Sequence, residues 1–287
     1  MSYTKEIINY LKQTHKFVNI FLVPGFEPVV REDNGEFKKI IDIKLTEKDT
    51  KEILLTLRNS ASIPKTLAVK EIFSFGIPEI GRIRVSYFLQ RGSYVLNIVK
   101  TPFIIPEPID IFVDIGKFLD FYNKFSKDNF GIFLILGSRW LANSMFVYSL
   151  LKLINKNQKK IICTLENPIS FLLRHGNSII IQRDITVDTD SKEEAIKDMY
   201  FLDPDIVFYG SSSLSENLNE LEYLDMHRIN IISFPFSSYE VFEEKLKSST
   251  SDYFLRTFKQ HLRNIIIVQI EHLKDLKEKI TFEVLNI

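Results

Sequence analysis

Between residues 131 and 144 the chain reads Gly131-Ile132-Phe133-Leu134-Ile135-Leu136-Gly137-Ser138-Arg139-Trp140-Leu141-Ala142-Asn143-Ser144. A short apolar run is followed by glycine, four residues, a small residue, and a serine that opens a helical pattern. This is the frame of a phosphate cradle. Glycines let backbone amides close on phosphate oxygens, a lysine reaches the terminal phosphates, and a Ser or Thr hydroxyl holds magnesium. Only Gly137 and Ser144 have the residue types that chemistry asks for. Ala142 stands in the place of the last glycine and Asn143 in the place of the lysine, while Trp140 and Leu141 fill the cradle. Taken alone, the stretch reads as a plain strand–turn–helix junction before it reads as a phosphate site.

Other reactive side chains are scattered. The five histidines, His15, His175, His227, His261 and His272, have no metal-like spacing with carboxylates, so no metal site is expected. The single cysteine, Cys163, excludes an internal disulfide and a cysteine zinc cage, and it sits in an apolar run where it should be buried and inert. Glu193-Glu194 and Glu243-Glu244 read as solvated helix faces. Over 287 residues, 37 Lys and Arg balance 37 Asp and Glu, and this neutrality speaks against a nucleic-acid partner. No apolar stretch approaches the roughly 20 residues that span a bilayer, so no direct membrane insertion is expected and the chain reads as cytoplasmic. The sequence holds 24 Phe, read as core filling, and 10 Gly, few for a protein built on glycine-rich phosphate loops.

The elements that would position the loop follow from periodicity. Thr4 can cap a short helix carrying Ile7, Ile8 and Leu11, and Val18–Val23 is a strand. Thr46 with Asp49 forms a capping box for a helix to about Arg58. Residues 67–101 alternate as a three-strand meander, and Pro102, Pro106 and Pro108 mark a linker. Beyond it, apolar runs at Ile132–Leu136, Ile161–Leu165, Ile179–Ile181, Ile206–Tyr209, Ile229–Ser233 and Ile265–Ile270 alternate with helical patterns at about 144–156, 191–201, 214–224, 237–247 and 251–263. Strands alternating with helices imply a mainly parallel, doubly wound α/β sheet whose ligands sit at the carboxyl ends of the strands.

With the loop in that place, further segments resemble the secretion-ATPase family of type II secretion and type IV pili (GspE/PulE), most closely its twitching-motility, pilus-retraction branch. Thr164-Leu165-Glu166-Asn167-Pro168-Ile169-Ser170-Phe171 is similar to the family's Asp box, and Ser178–Ile185 with Gln182-Arg183 to the strand beyond it. Asp203-Pro204-Asp205-Ile206-Val207-Phe208-Tyr209-Gly210 is similar to its Walker B strand. Phe73–Pro78, Gly81–Val85 and Arg91-Gly92 are similar to its N-terminal domain. The resemblance covers roughly residues 70–287. It implies a small N-terminal α+β (PAS-like) domain over 1–105 and a RecA-like P-loop NTPase domain over 106–287 that lacks the family's C-terminal helical region. It also implies that Gly137, Ala142, Asn143 and Ser144 hold the nucleotide-binding positions, and that Arg82, Arg84 and Arg91 are the interface arginines that serve nucleotide.

Against that pattern the residues needed for hydrolysis are missing. The Walker B glutamate is replaced by Ser211, its neighbours fall on Ser213 and Leu214, and the two histidines of the His box fall near Ile229 and Phe236. Asn167 replaces the Asp-box aspartate, leaving Glu166 as the surviving acid. Phosphoryl transfer rests on positioning and charge stabilisation, which these losses remove together. The expected function is a hydrolysis-incompetent pseudo-ATPase that binds pilus or secretion assembly proteins, or a related hexameric ATPase. No cofactor is expected, ATP with magnesium being the one ligand the frame weakly admits. The resemblance also admits a peripheral place at the inner membrane through a protein complex. Two other readings stay open: an unorthodox ATPase that powers pilus retraction with Ser144, Glu166 and borrowed arginines, and a scaffold unrelated to pili.

Overall fold

A computed structural model describes residues 3–286 apart from 15–17, 32–35, 63–65, 79, 102–103, 186, 190, 211–217 and 273–277. The chain divides into two compact units, one of Met1–Ile104, the other of Ile105–Lys274 with Glu278–Ile287.

The first unit has the elements α1 (Tyr3–Gln13), β1 (Val18–Leu22), β2 (Val29–Arg31), β3 (Phe37–Lys39), α2 (Glu47–Ser60), β4 (Lys70–Ile77), β5 (Gly81–Gln90) and β6 (Ser93–Thr101). Its strands form a six-stranded antiparallel sheet in the order β3-β2-β1-β6-β5-β4. Alternation sets the core face: Phe73 and Phe75 of β4 and Ile83, Val85 and Tyr87 of β5 pack with Ile53, Leu54 and Leu57 of α2. The expected capping box starts α2, with the Thr46 hydroxyl accepting from the Asp49 amide and Asp49 accepting from the Thr46 amide. Thr4 does not cap: α1 already includes it, and its side chain is buried. The expected meander is β4–β5–β6.

The second unit has α3 (Pro108–Ile111), α4 (Ile115–Phe125), β7 (Gly131–Leu136), α5 (Trp140–Asn157), β8 (Ile161–Glu166), β9 (Ile179–Asp184), α6 (Lys192–Lys197), α7 (Met199–Leu202), β10 (Ile206–Tyr209), a 3-10 turn (Asn219–Tyr223), β11 (Ile229–Phe234), α8 (Tyr239–Ser249), α9 (Asp252–His261), β12 (Leu262–His272) and β13 (Glu278–Asn286). The sheet runs β13-β12-β7-β11-β10-β8-β9, parallel except for the antiparallel β12–β13 pair at one edge. All six residues of β7 are buried, as a strand covered on both faces requires. Ile132, Leu134 and Leu136 join one cluster with Val207, Phe242 and Phe258. Phe133 turns the other way and meets Phe125 of α4 at 4.5 Å between ring centroids.

Three helical expectations shift. α5 begins at Trp140, four residues before Ser144, because Trp140, Leu141 and Ala142 carry no glycine to hold the chain open and their backbone closes into a helical turn. The helix read over 191–201 is broken into α6 and α7 at Asp198, whose carboxylate binds Arg183 at 2.5 Å. Of the helix read over 214–224, the described part is the 3-10 turn, and 214–217 lie outside the described residues.

Most of the Phe residues are core, although Phe26, Phe37, Phe88, Phe130 and Phe201 are exposed. Phe146 of α5 lies 5.0 Å from Phe282, 5.6 Å from Phe121, 5.7 Å from Phe118 and 5.8 Å from Phe112, centroid to centroid. This cluster fixes α5 against the sheet beneath the loop. Phe146→Ala should therefore cost about 3–5 kcal/mol, read as a lower urea midpoint at unchanged slope.

Candidate functional site

The carboxyl end of β7 is the place where a ligand would be bound in such a sheet. Here Gly137-Ser138-Arg139 links the strand directly to α5. The Ala142 and Asn143 amides donate to the Arg139 carbonyl at 3.0 and 3.3 Å, so both are already engaged in the first helical turn. Trp140 and Leu141 are helical residues rather than an open loop.

Asn143, in the lysine position, turns into the fold. Its side chain is buried, and Nδ2 donates to the carbonyl of Gly137 at 3.1 Å and to that of Phe234 at 3.2 Å. It thereby ties the ends of β7 and β11 to the start of α5. Gly137 is required by this close approach. A Cβ there would collide with Asn143 Oδ1 and lie 2.6 Å from the Val268 carbonyl oxygen. Ser144, also buried, pairs its hydroxyl with that of Ser170 at 3.1 Å. Neither side chain offers its polar atom outward.

Glu166 ends β8 and is buried. The Tyr148 hydroxyl donates to its Oε1, and the Ser170 amide donates to its Oε2 at 3.1 Å. Gln182 Nε2 donates to the Tyr148 hydroxyl at 2.8 Å and to the Phe171 carbonyl at 2.9 Å. Gly210, at the end of β10, leaves room for this carboxylate; a Cβ there would lie 2.7 Å from Glu166 Cγ. Burial pushes the Glu166 carboxyl pKa upward, and the hydrogen bonds from Tyr148 and Ser170 oppose it only in part. Burial, then the neighbouring Glu166 charge, pushes the Tyr148 phenol well up. Two acids with raised pKa values that share a hydrogen bond form a closed polar core.

Sequence reading singled out Ser144 and Glu166 but missed Tyr148 and Ser170, which join them. The signal was present: Tyr148 is four residues after Ser144 on one helix, and so on the same face. Asn167, in the Asp-box aspartate position, is joined to Pro168 by a cis peptide. Of the residues near which the His-box histidines were expected, Ile229 opens β11 and is buried, and Phe236 packs 5.9 Å from Phe242. Ser211, Ser213 and Leu214 lie outside the described residues. Burial pushes the Cys163 thiol pKa up to about 11, in keeping with an inert cysteine.

The three arginines belong to the first unit and are spread along one strand. Arg82 donates to the Ser74 hydroxyl at 2.6 Å, Arg84 is buried, and Arg91 sits in the turn after β5 with φ of 51°. At roughly 3.3 Å per residue, Arg82 and Arg91 stand about 30 Å apart. A single phosphate group cannot be reached by both within one chain. Among the described residues, no group of three His, Cys, Asp or Glu could hold a metal, and no helix is long and apolar enough to cross a membrane.

The sheet order, the second antiparallel sheet and the site at the end of β7 define a PilT-like ATPase fold. The pilus retraction motor PilT with bound ADP superposes over 98% of this chain and 82% of its own with a TM-score of 0.73 at 23% identity. The DotB ATPase of Yersinia pseudotuberculosis covers 99% of this chain and 78% of its own with a TM-score of 0.71 at 17% identity. In sequence, the chain is 25% identical over 203 residues to the type IV pilus ATPase PilU of Pseudomonas aeruginosa, covering 70% of this chain and 51% of that protein. It is 26% identical over 194 residues to the PilT retraction ATPase of the same organism, covering 67% of this chain and 54% of that protein. No family model matches. Its homologues are thus PilU, PilT and twitching-motility proteins, in keeping with the GspE/PilT-like family. The chain spans about half the length of the curated relatives it matches.

The buried acid gives a sign-definite pH dependence. A carboxyl whose folded pKa is raised adds stability below its unfolded pKa, near 4.3, and that stability is lost as pH rises through the folded value. Chemical denaturation of wild type and Glu166→Gln from pH 4 to 8 should therefore show the glutamine variant gaining on wild type as pH rises. Tyr148→Phe, which strips a partner from the buried carboxyl, should cost about 1–3 kcal/mol.

Proposed function

We infer that this chain is a PilT/PilU-like component of type IV pilus machinery that does not hydrolyse ATP and acts by binding pilus-assembly proteins or a related ATPase. The observation that carries the reading is Asn143, whose amide is spent on the carbonyls of Gly137 and Phe234 in the place where a lysine would reach phosphate. Three further features support it. The Ala142 and Asn143 amides are bonded to the Arg139 carbonyl, the Ser144 hydroxyl is held by Ser170, and Glu166 is held by Tyr148 in a dry network. These residues do not suit a nucleotide triphosphate with magnesium: no cation faces the cradle from position 143, no free hydroxyl is offered at 144, and the acid that would handle water or metal is buried with its pKa raised.

In this reading Met1–Ile104 is the PAS-like domain and the second unit is the RecA-like domain, kept as a scaffold after its phosphate site was filled. The pilus connection draws on the relatives PilU and PilT, and the protein works in the cytoplasm, where those partners meet it.

Purified protein should release no phosphate from Mg-ATP above a no-protein blank, and titration calorimetry should show no magnesium-dependent binding of ATP. Turnover that Ser144→Ala abolishes would overturn the reading. Restoring two missing groups with Asn143→Lys and Ser211→Glu should still give no turnover, because Trp140 and Leu141 remain helical where the backbone must approach phosphate.

A further inference from the structure

The amino end of the second sheet carries a charged surface that the loop after β7 does not explain. Three segments meet there: the C-terminus of α4, the C-terminus of α5, and the chain leading into β9. Asn157 Nδ2 donates to the Tyr122 hydroxyl at 3.0 Å and Gln158 Nε2 to the Ser126 carbonyl at 3.4 Å, which joins α5 to α4. Asn177 Nδ2 donates to the Lys156 carbonyl at 2.6 Å and Asn155 Nδ2 to the Arg174 carbonyl at 2.7 Å, which joins α5 to the segment before β9.

Lys124, Lys127, Lys156, Lys159 and Arg174 are all exposed on these segments. Asp120 and Asp128 are the carboxylates close to them on α4 and just after it. The ion pairs at this end go to other lysines, Lys152 with Glu107 at 2.6 Å and Lys160 with Asp205 at 3.5 Å. Among the described residues, Lys124, Lys127, Lys156 and Lys159 form none. A lysine in the last turn of a helix complements the helix dipole, and that accounts for Lys124 and Lys156. Lys127 and Lys159 lie beyond the helix ends, where the dipole does not call for them. Four ammonium groups gathered without a counter-charge repel one another and raise the local potential, which an incoming anion relieves. The amides between them narrow the choice of anion. Asn157 and Asn177 spend Nδ2 on the fold and keep Oδ1 to accept from a peptide N–H, a donor that a phosphodiester backbone lacks. We propose that this surface docks an acidic segment of a partner polypeptide. Its carboxylates meet the four lysines and Arg174, and its backbone amides meet the two asparagines. The surface lies at the opposite end of the strands from the loop after β7, and the inference stands whether or not the chain hydrolyses ATP.

The test is fluorescence anisotropy of the full chain with two labelled peptides of equal length, one of Glu and Ala, the other of Lys and Ala. The Glu/Ala peptide should bind and the Lys/Ala peptide should not, with affinity falling as salt is raised. Lys127→Glu with Lys159→Glu should weaken binding by roughly tenfold or more. The same change of net charge made on α2, Lys48→Glu with Lys51→Glu, should leave it within about twofold, because charges far from the surface are screened. Far-UV circular dichroism and the thermal midpoint check that the variants fold. Single-stranded DNA and anionic phospholipid vesicles serve as competitors. No binding of the Glu/Ala peptide, or equal weakening by both folded double variants, overturns the proposal. So does DNA or vesicle binding tighter than that of the peptide, which would make the occupant a nucleic acid or a membrane.

Discussion

One amide side chain organises the carboxyl end of the second sheet. Asn143 spans the gap between β7 and β11 by donating to a carbonyl at the end of each, and the residues around it accommodate that placement. Gly137 has no Cβ because Asn143 Oδ1 and the Val268 carbonyl occupy the space. The helix starts early because nothing holds the loop open around an anion. Each hydrogen bond contributes only about 1 kcal/mol net, but stranding two buried carbonyls without a donor would cost more. A lysine at 143 would bring a charge into this dry position. The loop and the residue that fills it therefore depend on each other.

A second network lies beside the first and is built on the same logic. Glu166, Tyr148, Gln182 and Ser170 tie β8, β9, α5 and the segment after β8 into one buried polar group, packed by Phe171 at 5.1 Å and Phe208 at 6.1 Å from the Tyr148 ring centroid. In a water-filled cleft such an acid would be ionised and available. Enclosed by aromatics and satisfied by a phenol and a backbone amide, it becomes a positioning element of the core. A fold does not by itself fix an activity, and at this end of the sheet most of the polar side chains are engaged with one another.

The neutral overall charge conceals this local sorting. Buried cations such as Arg58, which reaches the Tyr87 hydroxyl at 3.1 Å and the Thr66 carbonyl at 3.1 Å, and Arg228 serve packing and chain reversal. The aromatic residues divide in a similar way. Most fill the layers on either side of the sheet, whereas Phe201 lies at the surface.

The order of strands and helices was legible in the sequence because β7, β10 and β11 are short apolar runs, and a strand buried on both faces has no other pattern. That position 143 is an asparagine and not a lysine was legible too, since it is visible without coordinates. The start of α5 was not, because nothing local to Trp140 distinguishes a helical turn from an open loop; bonding to Arg139 decides it. Nor was the fate of Asn143 and Glu166. Their partners, the Phe234 carbonyl and Tyr148, come from elements distant in sequence, and only the packed sheet brings them within hydrogen-bonding reach. The sequence by itself determined which chemical groups are present at the carboxyl end of β7. The tertiary structure decided how far those groups satisfy one another: Asn143 Nδ2, Ser144 and Glu166 find partners inside the fold, while Asn143 Oδ1 is buried without one.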